Sequence, residues 1–367
     1  MSLCHLPIYD PQKCTFFALG RNAMFAACQV LRLKPGDEVL TPAFDCDGSL
    51  QPFRVLGLNL KFFRSNPYTF EVDIDDLKKR ITPKTKLLHI INHFGFPQPW
   101  EELLSLRKIT GIPILEDNAY SLFSIYQGKP FGNFGDMSIF SLRKNLPLID
   151  GGMLRINNPE YMMTFKQKKP QWFYMTELSS MLRFLKTKMG IKNIPSLFKT
   201  MVPPPLYSDG DKEVPLWPSR DCISRDFSQD YLRPMSKLSR YQLSLYGAQD
   251  YQKITSQKRE QYLFLVKELS DIKGIKILWP NLSLGIIPFN FSFLVSRNRD
   301  GLLKKLQRKY PAMAWPTLPK AVLDQLDDFP EIRLLGKQLV QINFHNNSKN
   351  LAQLTDILKN DLTLTYS

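Results

Sequence analysis

Two short apolar runs that each end in charge constrain this chain more than any other feature. Ile112 to Leu115 runs into the acidic pair Glu116-Asp117, and Met137 to Leu142 runs into Arg143-Lys144. A Gly-rich loop separates them, and Gly151-Gly152 closes the stretch. Runs this short, bounded by turn residues, read as strands of a parallel sheet with a functional group set just past each end.

The preceding residues have the same rhythm. Gly20 to Leu33 reads as a helix with Met24, Phe25, Cys28 and Leu31 on one face, stopped by Pro35-Gly36-Asp37. A strand begins at Glu38, a helix follows near Ser49 to Val55, and a second strand covers Leu60 to Phe63. Asp73 to Arg80 reads as a helix with Asp73 as its N-cap. Lys86 to Asn92 (KLLHIIN) is a continuous apolar strand, and Pro99 to Ile109 is the next helix. Alternation of this kind predicts an α/β domain with a mainly parallel sheet, whose ligands sit beyond the carboxyl ends of the strands. Phe44, Asn92-His93, Asp117 and Ser141 to Lys144 all fall at such ends.

Residues 158–235 break the pattern with Pro203-Pro204-Pro205 and further turn signals. Helices resume at 237–272. Strands at 275–278 and 290–295 then alternate with helices at 299–309, 331–339 and 348–359. The expected organisation is a large domain over 1–235, carrying an insertion at 158–235, and a smaller α/β domain over 236–367.

Composition narrows the function classes. No apolar run approaches the roughly 20 residues a membrane helix needs. The first fourteen residues lack a basic start followed by an apolar stretch, so no secretory signal is expected. Five scattered cysteines without CxxC spacing and four histidines without ligand spacing indicate neither a disulfide framework nor a metal site. A cytoplasmic location is the simplest expectation. The net charge of +15 suits nucleic acids, anionic membrane surfaces and phosphorylated small molecules alike. No recognisable nucleic-acid-binding module accompanies it. Residues 160–200 hold eight Lys/Arg against two Glu, interleaved with aromatics that include Trp172 and Tyr174. This stretch reads as a solvated face, with peripheral membrane or partner contact as the alternative. There is no GxGxxG after the first strand and no GxxxxGK[ST].

An acid past one strand and a lysine past another can hold the two ends of pyridoxal phosphate (PLP), the ring nitrogen on Asp117 and the aldehyde on Lys144. Gly20-Arg21-Asn22-Ala23 opens a helix whose free N–H groups suit a phosphate. Taken in order, the motifs resemble those of the DegT-like sugar aminotransferases, PLP enzymes of fold type I. Gly20 to Ala23 stands where that family has its phosphate loop. Pro35 to Val39 is similar to its PGDEV, and Thr41-Pro42-Ala43 to the strand end that follows. Ile81 to Lys86 resembles ITP-x-TK, and Asn92 to Gly95 resembles VH-x-(Y/F)-G. Glu116 to Ala119 resembles EDAA, Gly132 to Asp136 resembles G-x-(F/A)-GD, and Asp150 to Gly152 resembles (E/D)GG.

The resemblance implies a fold-type-I architecture with a mainly parallel seven-stranded sheet, PLP as cofactor, and catalysis by Lys144 and Asp117. It implies transamination of a nucleotide-linked keto sugar, with glutamate as donor, in a homodimer serving sugar or polysaccharide biosynthesis. Ser141 and residues 20–23 would hold the phosphate. Departures from the family pattern fall around the ring. Ser141 lies three residues before Lys144 rather than five, as in the family's shorter SLRK-type branch. Tyr120 replaces Gln or His. Cys46 stands at the usual stacking aromatic, with Phe44 as the substitute. His93, Arg143, Ser239, Arg240 and His345 are the remaining substrate-contact candidates. The alternatives are another PLP reaction on the same fold or a non-catalytic binding protein. Family dehydratases carry histidine at the lysine position, so Lys144 argues against dehydration.

Overall fold

The computed structural model describes residues 6–161, 165–174, 230–308, 310, 312–314, 318–344 and 351–366. Its larger sheet is built from β1 (Cys14–Phe17), β2 (Glu38–Pro42), β3 (Asn59–Phe63), β4 (Thr85–Ile91), β5 (Ile114–Asp117), β8 (Met137–Phe140) and β9 (Gly152–Ile156). A small hairpin, β6 (Ile125–Tyr126) and β7 (Lys129–Pro130), lies between β5 and β8. The spatial order is β1-β9-β8-β5-β4-β2-β3, seven strands as expected. From β8 to β3 every pairing is parallel, and β9 pairs antiparallel with both its neighbours.

Helices α1 (Gly20–Val30), α2 (Gln51–Val55), α3 (Ile74–Arg80) and α4 (Trp100–Thr110) carry the chain between strands, and α5 (Leu142–Asn145) follows β8. In the central strand β4, Lys86 is exposed and the other residues are buried, the condition that the apolar sequence anticipated. Asp73 caps α3 by accepting a bond from the Asp76 N–H at 3.0 Å. Boundaries differ from the sequence reading for local reasons. Arg32 adopts φ 55°, so α1 ends before Leu33. β5 begins at Ile114, after Pro113, and extends through Asp117. The helical stretch at 237–272 divides into α6 (Lys237–Ser244) and α7 (Ala248–Leu269) around Gly247.

The C-terminal region forms a four-stranded antiparallel sheet in the order β10-β11-β13-β12, from β10 (Ile275–Ile277), β11 (Asn290–Val295), β12 (Ala312–Met313) and β13 (Leu339–Asn343). Helices Arg299–Gln307, Pro330–Gln338 and Leu351–Tyr366 accompany it. One apolar core runs continuously from the large sheet into this smaller layer. A second cluster packs Phe140, Leu142 and Leu146 beneath Met235, Leu243 and Tyr251, and so braces the segment around α5.

Several sequence motifs prove to be structural fastenings. Glu38 accepts a bond from the Thr82 hydroxyl at 2.6 Å and ties the start of β2 to the turn before β4. Asp136 binds Arg107 at 2.7 Å and the Ile114 N–H at 2.9 Å. A Cβ at Gly152 would lie 2.2 Å from the Leu19 carbonyl oxygen, so β9 can press against the start of α1 only with glycine there.

In the basic stretch, the described residues are 160–161 and 165–174. Lys166, Lys168, Lys169 and Trp172 face outward, while Phe165 packs on Phe17 and Tyr174 is buried. Residues 175–200 and most of the 158–235 insertion lie outside the described residues. No described helix is long and apolar enough to cross a membrane.

Candidate active site

The carboxyl ends of β2, β4, β5 and β8 open into one cavity. Gly20, Arg21, Asp45, Cys46, His93, Asp117, Tyr120, Ser141, Arg143 and Lys144 are among its lining residues. Side-chain alternation along β5 sends the two members of the acidic pair to opposite faces. Glu116 turns away from the cavity and accepts bonds from the Gly132, Phe134 and Gly135 N–H groups, the Ser138 hydroxyl and the Asn92 amide. Asp117 faces the cavity, with Oδ1 accepting the Ala119 N–H at 2.8 Å. Its Oδ2 lies 3.2 Å from His89 Nε2.

His89 belongs to a row of polar side chains across three adjacent strands: Thr41 on β2, His89 on β4 and Asp117 on β5. Thr41 Oγ1 is 2.9 Å from His89 Nδ1, and none of the three is more than 3% exposed. The row follows from register, since Leu40 pairs with Leu88 and Ile91 with Asp117, which puts these three side chains on one face. Asp45 lies just past β2, with its Oδ2 3.8 Å from His89 Nδ1.

Lys144 is in α5, the short turn after β8, and its Nζ lies over the Tyr120 ring, 4.0 Å from the centroid. The residue keeps an exposed surface and lines the cavity. Protein atoms surround the amine and desolvation lowers its pKa, with Arg143 acting the same way, while Cys46, Asp117 and Asp45 oppose the shift. The lowered value favours the neutral, nucleophilic amine. Tyr120 is braced by Phe289, ring centroids 4.8 Å apart, and burial raises its phenol well above the ordinary range.

Gly20 is the first residue of α1, and no side chain caps that helix end. A Cβ on Gly20 would lie 3.3 Å from the Ser141 Cβ, so the helix start and the serine can be this close because residue 20 is glycine. An uncapped helix N-terminus beside a serine hydroxyl is a seat for an anion, here at the cavity wall.

The remaining candidates divide. Asn22 is buried and its amide holds the Asp230 and Tyr231 carbonyls, while Ala23 lies in the core. Of the proposed loop, Gly20 and Arg21 reach the cavity, and Arg21 also bonds Gln51 at 2.8 Å. Phe44 packs edge-on against Phe70 in the core, and Cys46 takes the cavity position. His93 lines the cavity and donates from Nε2 to the Phe44 carbonyl at 2.9 Å; burial lowers its pKa to about 4. Ser239 is buried and accepts the Asp150 N–H, and Arg240 lies over Phe16, both away from the cavity. His345 lies outside the described residues. Sequence reasoning missed His89, Asp45 and Thr41. The available signal was a histidine inside an otherwise apolar strand, two residues before a strand end, where an unpaired polar group is costly.

This donor set fits PLP. An acid backed by an imidazole suits a protonated ring nitrogen, an amine of lowered pKa suits an aldehyde, and the Gly20–Ser141 seat suits a phosphate.

Comparison with known proteins agrees with that fit. Residues 11–171 match the model of the DegT/DnrJ/EryC1/StrS aminotransferase family. Over 149 residues the chain is 31% identical to a GDP-perosamine synthase of Escherichia coli O157:H7, covering 40% of this chain and 41% of that protein. Over 158 residues it is 31% identical to a dTDP-4-dehydro-2,3,6-trideoxy-D-glucose 4-aminotransferase of Saccharopolyspora spinosa, covering 42% and 41%. The matched segments thus span about two-fifths of these relatives' length. Among solved structures, an aminotransferase from Streptoalloteichus hindustanus superposes with a TM-score of 0.69 at 18% identity, covering 99% of this chain and 89% of that one. The likeness establishes a shared fold.

Proposed function

We propose, from the premise that residues 11–171 are a DegT/DnrJ/EryC1/StrS aminotransferase family domain, that this protein is a PLP-dependent aminotransferase. Its substrate in this reading is a keto sugar carried on a nucleotide, which it converts to an amino sugar. The observation that carries the proposal is the single cavity that joins Asp117, Lys144 and the uncapped start of α1.

PLP, when bound, supplies the electron sink that lets an amino group pass from a donor to an acceptor ketone. Asp117 would hold the ring-nitrogen proton, oriented by its contact with His89. The first N–H groups of α1 and the Ser141 hydroxyl would bind the phosphate. Lys144 would secure the cofactor covalently. Once released as a neutral amine, it would take the proton from the substrate carbon that bears nitrogen and return it on the other side of the exchange. Arg21 and Arg143 add positive charge at the cavity wall, which suits a diphosphate-bearing acceptor.

Glutamate as donor, action in the cytoplasm and homodimeric assembly belong to the same proposal. So does the division into a cofactor-binding domain at 1–235 and a smaller domain at 236–367. Of the Ser239–Tyr241 segment, Ser239 is committed to Asp150 and Arg240 to Phe16, which leaves Tyr241, 55% exposed, to face a second subunit.

The test is direct. Purified protein mixed with PLP should develop a visible band that borohydride abolishes, and Lys144→Ala should never develop it. With glutamate and a keto nucleotide sugar, the wild type should release 2-oxoglutarate. A wild type that stays colourless with added PLP would sink the proposal.

A further inference from the structure

Asp45 has no part in the chemistry outlined above, yet it is 3% exposed and lies beside its centre. Its Oδ1 accepts the Cys46 N–H and the Ser49 hydroxyl, each at 2.6 Å. Its Oδ2 is buried and has no hydrogen-bond partner among the described residues. The nearest group that can carry a compensating positive charge is His89, whose Nδ1 is 3.8 Å from that oxygen. On the opposite edge of the same imidazole, Nε2 faces Asp117 Oδ2 at 3.2 Å. Two buried carboxylates therefore flank one fully buried ring, with the Thr41 hydroxyl 2.9 Å from Nδ1.

Buried charges persist only where they are paired. We infer that Asp45 is a positioning residue that acts through His89, holding it with Asp117 as the doubly protonated imidazolium. Nε2–H then donates to Asp117 and Nδ1–H donates to Thr41 Oγ1, while Asp45 supplies the second counter-charge. The effect on the cofactor rests on the reading above. Two carboxylates, one imidazolium and one protonated ring nitrogen sum to zero, so Asp45 makes the buried row electrically neutral when PLP is seated. Without Asp45 the imidazolium would compete with the ring nitrogen for the single charge of Asp117.

The charged and titratable groups that face Asp45 are His89 from β4, Asp117 from β5, and Lys144 and Tyr120 across the cavity, with Cys46 next to it in sequence. Burial pushes the Asp45 carboxyl up to about 6, with Asp117 adding to the rise and His89 and Ser49 opposing it. A value near 6 leaves the carboxyl mostly ionised at pH 7.

The test uses cofactor-free protein, so its outcome is independent of whether PLP binds. Nitrogen-15 shifts of His89 at pH 7 should show both ring nitrogens protonated in the wild type. A wild-type His89 with a single N–H overturns the inference, and that measurement needs no variant. In Asp45→Asn, which keeps an acceptor for the loop bonds, the ratio of imidazolium to neutral imidazole should fall by about tenfold or more. Ser49→Ala removes a loop bond but keeps the carboxyl; it pushes that carboxyl somewhat further up, so at pH 7 the imidazolium ratio should fall clearly less than in Asp45→Asn. If Ser49→Ala matched Asp45→Asn, or if Asp45→Asn left the ratio unchanged, the role of Asp45 would be structural and the inference would fail.

Discussion

The two faces of β5 differ sharply in how they use a carboxylate. Glu116 lies on the loop side with five donors around it, three of them backbone N–H groups of the Gly-rich loop. Asp117, the next residue, has one backbone N–H, one imidazole and an open cavity in front of it. A fully satisfied acid fixes a loop, whereas an acid with spare acceptor capacity beside a cavity can bind something else. Adjacent residues of the same chemistry are thereby separated into architecture and chemistry by the pleat alone.

Substitutions on the two faces should separate these roles. The largest expected effect is on the cavity side. Asp117→Asn should cut turnover by about a thousandfold, the scale of losing a charge-stabilising group in a buried site. It should cost about 1–3 kcal/mol of stability, less than the loop-side change below, because the amide fills the same space but leaves His89 with one counter-charge fewer. Steady-state kinetics paired with urea unfolding would check both halves. A normal turnover would remove Asp117 from the chemistry. On the loop side the pattern should reverse: Glu116→Ala strands several buried donors and should cost about 3–5 kcal/mol in the same unfolding assay. If Glu116→Ala were as stable as the wild type, the loop would not depend on that carboxylate.

A smaller effect concerns pH. Asp45 has a native pKa near 6, above the ordinary carboxylate value, so the native state binds more protons than the unfolded chain between about pH 4 and 6. Its contribution to stability therefore falls as pH rises through that window. His93, held near 4 by burial, binds fewer protons when folded between about pH 4 and 6.5, so its contribution rises with pH. The two tilts oppose each other in the wild type. His93→Gln should leave stability that declines with rising pH relative to wild type, and Asp45→Asn stability that increases, each by roughly 2 kcal/mol across the window. Parallel profiles for all three proteins would contradict both assignments. The smallest effect lies far from β5 and serves as a control. Asp73→Ala should cost about 1 kcal/mol through the lost cap of α3 and leave turnover unchanged.

Most of the fold could be read directly from the residues. The apolar strand at 85–91, the capped helix at 74–80 and a mainly parallel sheet follow from local pattern, because burial on both faces demands uninterrupted apolar residues, whereas the count of seven strands came from the family resemblance. The cavity was legible in part. Asp117, Lys144, Cys46, Tyr120 and Ser141 line it, whereas Phe44, Asn22, Ala23, Ser239 and Arg240 do not. Phe44 illustrates why: loop residues after a strand have no fixed alternation, so whether residue 44 or residue 46 faces the cavity depends on the turn that follows.

The sequence by itself brought out the acid and the lysine that meet at the cavity, since residues at strand ends need only local order to be recognised. Tertiary structure alone decided what surrounds them. The contacts among Thr41, Asp45, His89 and Asp117 join three strands and a loop, with sequence separations of 28 and 48 residues in its two hydrogen bonds. Register across a sheet is set by packing of the whole layer, and no stretch of the chain encodes it alone.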